Sequence, residues 1–215
     1  MVRTELMRRV IKIGGSLMSR PDLPSCLPKL LDAIAAPDQP ATLSPETVLP
    51  ETLSPETLVI VGGGELVDSL RSWDQLRSLD PVKTHWQCID LLQYTFEVIS
   101  DWFPAWHRVD TAASLQQSMT QGFSTTVPNL IAVRCFYDRG NQGNLPHDWR
   151  TTSDSLAAKL CSDTDADELV LLKSCEVDPS WDRQSLISRG VIDEAFAAFD
   201  HADWKLRIVS ANAVA

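Results

Sequence analysis

Val10-Ile11-Lys12-Ile13-Gly14-Gly15-Ser16 and Leu58-Val59-Ile60-Val61-Gly62-Gly63-Gly64 are the two stretches whose reading decides the fold. Each is an aliphatic run of strand length that stops abruptly at glycine, as a buried strand does when it ends in a phosphate-sized turn. A helix is predicted after each, over 22–35 and 65–79. Farther along, Ile89, Leu92, Phe96 and Ile99 recur at helical spacing before Pro104, which predicts a long helix over 81–103 with one buried stripe. Its aromatic content suits a dimer face. Residues 130–136 read as a strand, and a loop with Gly140, Gly143 and Pro146 follows. Thr152-Ser153-Asp154 then offers capping oxygens to a helix running to about Cys161. Residues 168–172 read as another buried strand, 191–202 as a helix and 205–209 as a last strand.

Strands alternating with helices predict an α/β fold, a mainly parallel sheet with helices on both faces. Ligands in such folds sit at the carboxyl ends of strands, where both glycine runs lie. Between the first helix and the second strand, Pro-Glu-Thr recurs at Pro45, Pro50 and Pro55. Prolines at that density forbid helix and ladder pairing alike, so residues 37–57 are expected to be a solvated insertion without catalytic role.

The length of 215 residues suits a single domain over 1–215, and a 44% hydrophobic content supplies enough apolar surface for its core. A net charge of -10 repels nucleic acid and anionic membranes, so neither is expected as a partner. The cysteines at 26, 88, 135, 161 and 175 form no CxxC pair and have no histidine at zinc-ligand spacing, so they read as reduced core residues. No signal-type apolar region follows the N-terminus, and no run approaches the about 18 apolar residues of a membrane helix. The expectation is a soluble, cytoplasmic protein.

Lys12 sits inside an apolar strand, where an unpaired ammonium is costly and therefore seeks an anion. Gly14, Gly15 and Ser16 after it let backbone N–H groups approach phosphate oxygens. Gly62, Gly63 and Gly64 open a helix, whose free N–H groups and dipole favour a second anion. Neither run has the spacing of a P-loop or of a dinucleotide fingerprint. Two such bends suggest a donor site and an acceptor site for a phosphoryl group, and phosphoryl transfer demands above all the neutralisation of charge. Lys12 and Lys173, each on an apolar strand, are the candidate cations, with Asp154 to hold them. His85, near the start of the long helix, is a candidate contact to the acceptor. No residue is singled out as a metal ligand.

Four motifs in order, Val10 through Ser16, Val59 through Gly64 with Asp68 and Arg71, Thr152 through Ala158, and Leu171 through Asp178, resemble the amino acid kinase family. That superfamily includes the acetylglutamate, aspartate, glutamate, uridylate and isopentenyl phosphate kinases. The resemblance implies a three-layer αβα sandwich with a roughly eight-stranded, mostly parallel sheet. It implies ATP as donor, bound by Gly14, Gly15, Ser16, Lys173, Ser174 and Asp178, with Mg²⁺ accompanying it. Gly62, Gly63 and Gly64 would hold the acceptor, Lys12 would stabilise the transferring group, and Asp154 would organise the lysines. Pro179 stands where uridylate kinases have glycine. The Gly-Gly-Met-x-x-Lys run of acetylglutamate kinases is absent, which turns the resemblance away from that enzyme. The Thr-Ser-Asp-Ser motif and the Thr84-His85-Trp86 helix start look more like the compact kinases of methanofuran biosynthesis, whose acceptor is the phosphate of an aminomethyl-furanmethanol phosphate. Two other readings stay open: a carboxylate kinase making an acyl phosphate, and a non-catalytic binding or storage protein on the same fold.

Overall fold

The computed structural model describes residues 6–35 and 55–212. Three aliphatic strands form the middle of one sheet: β1 (Arg8–Ile13), β2 (Glu56–Val61) and β5 (Glu168–Lys173). The shorter β3 (His107–Val109) and β4 (Asn129–Ile131) and the last strand β6 (Lys205–Ser210) complete it, in the order β3-β4-β2-β1-β5-β6. Every pairing is parallel. Parallel strands require crossover helices that bury both sheet faces, and Val10, Ile11, Ile13, Leu58, Val59 and Leu171 are accordingly buried.

The crossovers are α1 (Leu23–Ala35), α2 (Glu65–Leu76), α3 (Pro81–Trp102), α4 (Ala112–Gln121) and α5 (Ser153–Asp163), with the short α6 (Arg183–Ser188) before β6. Helix α3 packs over β2 and β4, and α5 over β1 and β5. The predicted stripe on α3 is the one it buries, Ile89, Leu92, Phe96 and Ile99. Asp80 caps this helix by accepting from Lys83 N at 2.7 Å, with Pro81 in its first turn, where a missing N–H costs nothing.

The α/β fold with its parallel sheet is the one expected, and six strands among the described residues stand beside the roughly eight expected. Other expectations are corrected. Residues 130–136 are a strand only to Ile131; the chain then tightens into a 3₁₀ turn, Val133–Cys135. A run that is apolar and buried everywhere but at Arg134 carries too little period to separate the two. The helix expected over 191–202 is a 3₁₀ turn, Glu194–Phe199, preceded by α6. Gly190 at φ 68° ends one element, and the Asp193 side chain starts the next by accepting from Phe196 N at 3.0 Å. Residues 107–109 and 112–121, for which the sequence pattern predicts no element, form β3 and α4. Within the Pro-Glu-Thr stretch, 37–54 lie outside the described residues, while Glu56 and Thr57 open β2. All five cysteines are free, but Cys175 is exposed, so not all are core residues. No helix among the described residues is long and apolar enough to cross a membrane.

At the rim opposite the glycine bends, a buried ion network clamps the middle strands. Glu168 takes Arg9 Nε on one oxygen and lies 3.1 Å from Arg207 Nε through the other, joining β1, β5 and β6. Arg207 also donates to the Ile34 carbonyl at 2.8 Å, fastening the end of α1. Removing the shared carboxylate strands the buried Arg9 guanidinium and takes one partner from the partly exposed Arg207. Glu168→Ala is therefore expected to lower the unfolding free energy by about 3–5 kcal/mol in urea titrations, whereas Asp68→Ala at an exposed pair leaves it nearly unchanged. Equal effects from both would refute this role for the network.

Candidate active site

Because β1 and β2 run parallel and in register, with Ile13 opposite Val61, their glycine bends leave the sheet at the same rim. There the two backbones touch. A Cβ on Gly15 would lie 2.7 Å from Gly64 Cα and still closer to its nitrogen, and one on Gly62 would lie 2.8 Å from Gly15 N. Gly64 also adopts φ 54°, open to glycine at little cost. The bends are held from below, Gly62 N donating to the Ile13 carbonyl at 2.9 Å and Gly14 N to that of Leu172 at 2.8 Å.

Beside this contact Asp154, in the first turn of α5, bridges two lysines. Lys173 Nζ donates to its Oδ2 at 2.6 Å, and Lys12 Nζ lies 3.1 Å from its Oδ1 without the alignment of a hydrogen bond. Lys12 reaches there from β1 and Lys173 from the end of β5, its neighbour in the sheet. Lys12 and Asp154 are both nearly inaccessible. Burial pulls the Lys12 ammonium below the usual lysine range, against the raising charge of Asp154; Lys173 lowers it further. For Asp154, burial pushes upward, but the two lysines outweigh it and hold the carboxyl below its usual range.

Above the rim opens a cleft of about 740 Å³. Its lining joins Gly15, Ser16, Gly63, Gly64, Asp154 and Lys173 to Val67, Arg71, Cys88, Ile89, Leu92 and Trp149. Gly63 links the two sets, since a Cβ there would lie 3.3 Å from Leu92 Cδ2. Arg71 stacks over the Trp149 ring at 4.9 Å, and Trp149 Nε1 is anchored to Asp74 Oδ2 at 2.7 Å. Ser16 and Ser174 hydroxyls meet at 2.8 Å, tying the first bend to the end of β5.

His85 also lines the cleft, but it is buried, and its Nε2 pairs with the Tyr137 hydroxyl at 2.9 Å. Burial and then the neighbouring His147 lower its pKa to about 4, against a backbone hydrogen bond to Asp148. Five expected site residues lie outside the cleft lining: Lys12, Gly14, Gly62, Ser174 and Asp178. Lys12 is tied to the site through Asp154, Gly14 through its bond to the Leu172 carbonyl, Gly62 by its approach to Gly15 and Ser174 through the Ser16 hydroxyl. Asp178 instead has its carboxylate engaged locally, accepting from Ser180 N at 2.9 Å and Ser180 Oγ at 2.7 Å.

Sequence reasoning missed Asp193. Its Oδ2 accepts from Thr152 N at 2.9 Å, Thr152 Oγ1 at 2.6 Å and Ser155 N at 3.1 Å, and its Oδ1 accepts from Ser155 Oγ. Burial raises its pKa, against the hydrogen bonds from Ser155 and Thr152, and the charge of Asp154 adds to the rise. An aspartate before Glu194-Ala195-Phe196 is a visible cap signal; its reach to residues about forty positions earlier is not. Among the described residues no group of three or more His, Cys, Asp or Glu side chains is arranged to hold a metal ion.

No family model matches the sequence, and no curated protein matches it. Solved structures do share its architecture. The uridylate kinase from Archaeoglobus fulgidus aligns with a TM-score of 0.58 at 16% identity, over 95% of this chain and 91% of that one. The UMP kinase from Bacillus anthracis aligns with a TM-score of 0.60 at 10% identity, over 97% and 89%. Likeness at such identities establishes the fold alone: this chain has the fold of the uridylate kinases.

Proposed function

We propose that the protein is an ATP-dependent kinase that transfers the γ-phosphoryl group to a small anionic acceptor, a phosphate group of the furanmethanol phosphate type. The observation that carries this reading is Asp154 holding Lys12 and Lys173 beside two touching glycine bends. In that arrangement Gly15 and Ser16 offer N–H and O–H donors to the donor's phosphates, with Lys173 beside them, and Gly63 and Gly64 face the acceptor. An acceptor oxygen bonds to the γ-phosphorus while the bond to the β–γ bridging oxygen breaks, and ADP leaves with that electron pair. An ionised acceptor has no proton to lose, so no general base is required. Lys12 and Lys173 oppose the charge on the transferring oxygens, and Asp154 keeps both ammonium groups aimed. Mg²⁺ entering on the nucleotide's phosphates would supply further charge neutralisation without a protein cage.

The cleft suits a compact acceptor with an apolar or flat body and an anionic tail. Val67, Ile89 and Leu92 are among its apolar lining, and Arg71 stacked on Trp149 supplies a cation. A carboxylate acceptor would meet the same groups and yield an acyl phosphate, which hydroxylamine traps as a hydroxamate; a diphosphate product gives none. A second copy of the chain is also proposed to cover the outer face of α3, where Tyr94, Val98 and Trp102 stand exposed at four-residue intervals.

Lys12→Ala and Asp154→Asn are each expected to lower the rate of ADP release, in assays with a panel of phosphate and carboxylate acceptors, by about 10²–10³-fold. Full turnover by Lys12→Ala would remove that lysine from the chemistry. Absence of turnover with every acceptor, alongside measurable ATP binding, would instead favour a silent binding protein. His85 is neutral in the folded state until about pH 4, whereas an unfolded histidine protonates near 6.5. The unfolded chain thus binds more protons between those values, so His85 makes stability fall as pH drops through this window. Urea midpoints should show that decline in the wild type and less of it in His85→Gln. Sedimentation should report a dimer that Tyr94→Glu dissociates; a wild-type monomer at micromolar concentration would contradict the proposed interface.

A further inference from the structure

The start of α5 presents a geometric problem. Asp154 is the second residue of that helix, and an aspartate there ordinarily turns back onto its own helix's free N–H groups. Here it points away, to Lys12 and Lys173. Its own cap is weak, since Thr152 Oγ1 accepts from Asp154 N only at 3.3 Å. The anion at this helix end is instead Asp193, brought in from the segment before β6. It takes the N–H groups of Thr152 and Ser155, both of their hydroxyls, and Phe196 N.

We propose that Asp193 is a positioning residue: by occupying the N-terminus of α5 in place of a local cap, it frees Asp154 to hold both lysines. The segment that carries it lines the cleft through Ser188, Gly190, Val191, Ile192 and Glu194. A further bond, Ala195 N to the Arg150 carbonyl at 3.0 Å, fastens the same segment to the turn before α5. Charge supports the geometry. Lys12, Lys173, Asp154 and Asp193 form a set with no net charge when all are ionised, and Asp193 adds to the field that stabilises the Lys12 ammonium. The charged groups facing Asp193 are Asp154 from α5 and, at longer range, Lys12 from β1. Two carboxylates share one helix end because the helix dipole and the two ammonium groups offset their repulsion.

Asp193→Asn tests this, since the amide turns an N–H₂ group toward donors that need an acceptor. In its kinetic arm the proposal rests on the kinase reading: kcat should fall about 10²-fold with the KM for Mg-ATP little changed. The second arm needs no turnover. In lysine ¹³Cε NMR titrations of the whole chain, assigned with Lys12→Arg and Lys173→Arg, the Lys12 midpoint should move down in Asp193→Asn. Asp182→Asn is the control: Asp182 accepts from Ser185 N at 2.8 Å as the cap of α6, and its loss should lower stability while leaving kcat and the Lys12 midpoint unchanged. Should Asp193→Asn fail to fold, Ser155→Ala removes one donor and should give the same changes at smaller size. If no acceptor is turned over, the kinase reading fails while the NMR arm still decides the role of Asp193. An unmoved Lys12 midpoint in a folded Asp193→Asn overturns the proposal.

Discussion

One carboxylate shared between two ammonium groups is the interaction on which the rest of the structure depends. Lys12 occupies a position in β1 where its neighbours are the apolar core, so its side chain survives there only with a counter-ion. Asp154 supplies it and accepts Lys173 on its second oxygen. The three groups carry one net positive charge at the end of two adjacent parallel strands, beside backbone whose N–H groups have no side chains in front of them. A site of that kind is preorganised for a multiply charged anion, because the dipoles are in place before the ligand arrives.

The sheet explains why the site can exist at all. In a parallel sheet every strand delivers its carboxyl end to one rim, so β1, β2 and β5 place their terminal residues within reach of one another without any long excursion. Glycine at 15 and 64 lets the first two bends touch. The opposite rim carries the Glu168 network, which binds the same strands from below. The strand ends bearing the lysines are thus held at one rim by their charge partner and at the other by a clamp.

Much of this is legible in the residues. The aliphatic runs ending in glycine locate β1 and β2 within two residues, and the stripe on α3 names its buried side chains. Lys12, Lys173 and Asp154 stand out as a group because an ammonium inside an apolar strand must find a carboxylate or a bound anion. What escapes a linear reading depends on tertiary contact. His107, Arg108 and Val109 form a strand because β4 lies beside them, not because of their own pattern. The Asp193 carboxylate is a local cap for Phe196 and a distant one for Ser155, and only the first is visible along the chain. Asp178 shows the reverse. A motif resemblance groups it with the nucleotide site, and local capping of Ser180 claims its carboxylate instead.

The central claim is that the Lys12–Asp154–Lys173 group and the paired bends form one phosphoryl-transfer centre. A crystal structure with ADP, magnesium and aluminium fluoride addresses it most directly, since the fluoride complex marks where a phosphoryl group in flight would sit. The account predicts that group in the cleft against the touching Gly15 and Gly64 bends, with Lys12 Nζ and Lys173 Nζ each about 3 Å from its fluorines or oxygens. Nucleotide bound away from this rim, or a fluoride complex that neither lysine reaches, would contradict it.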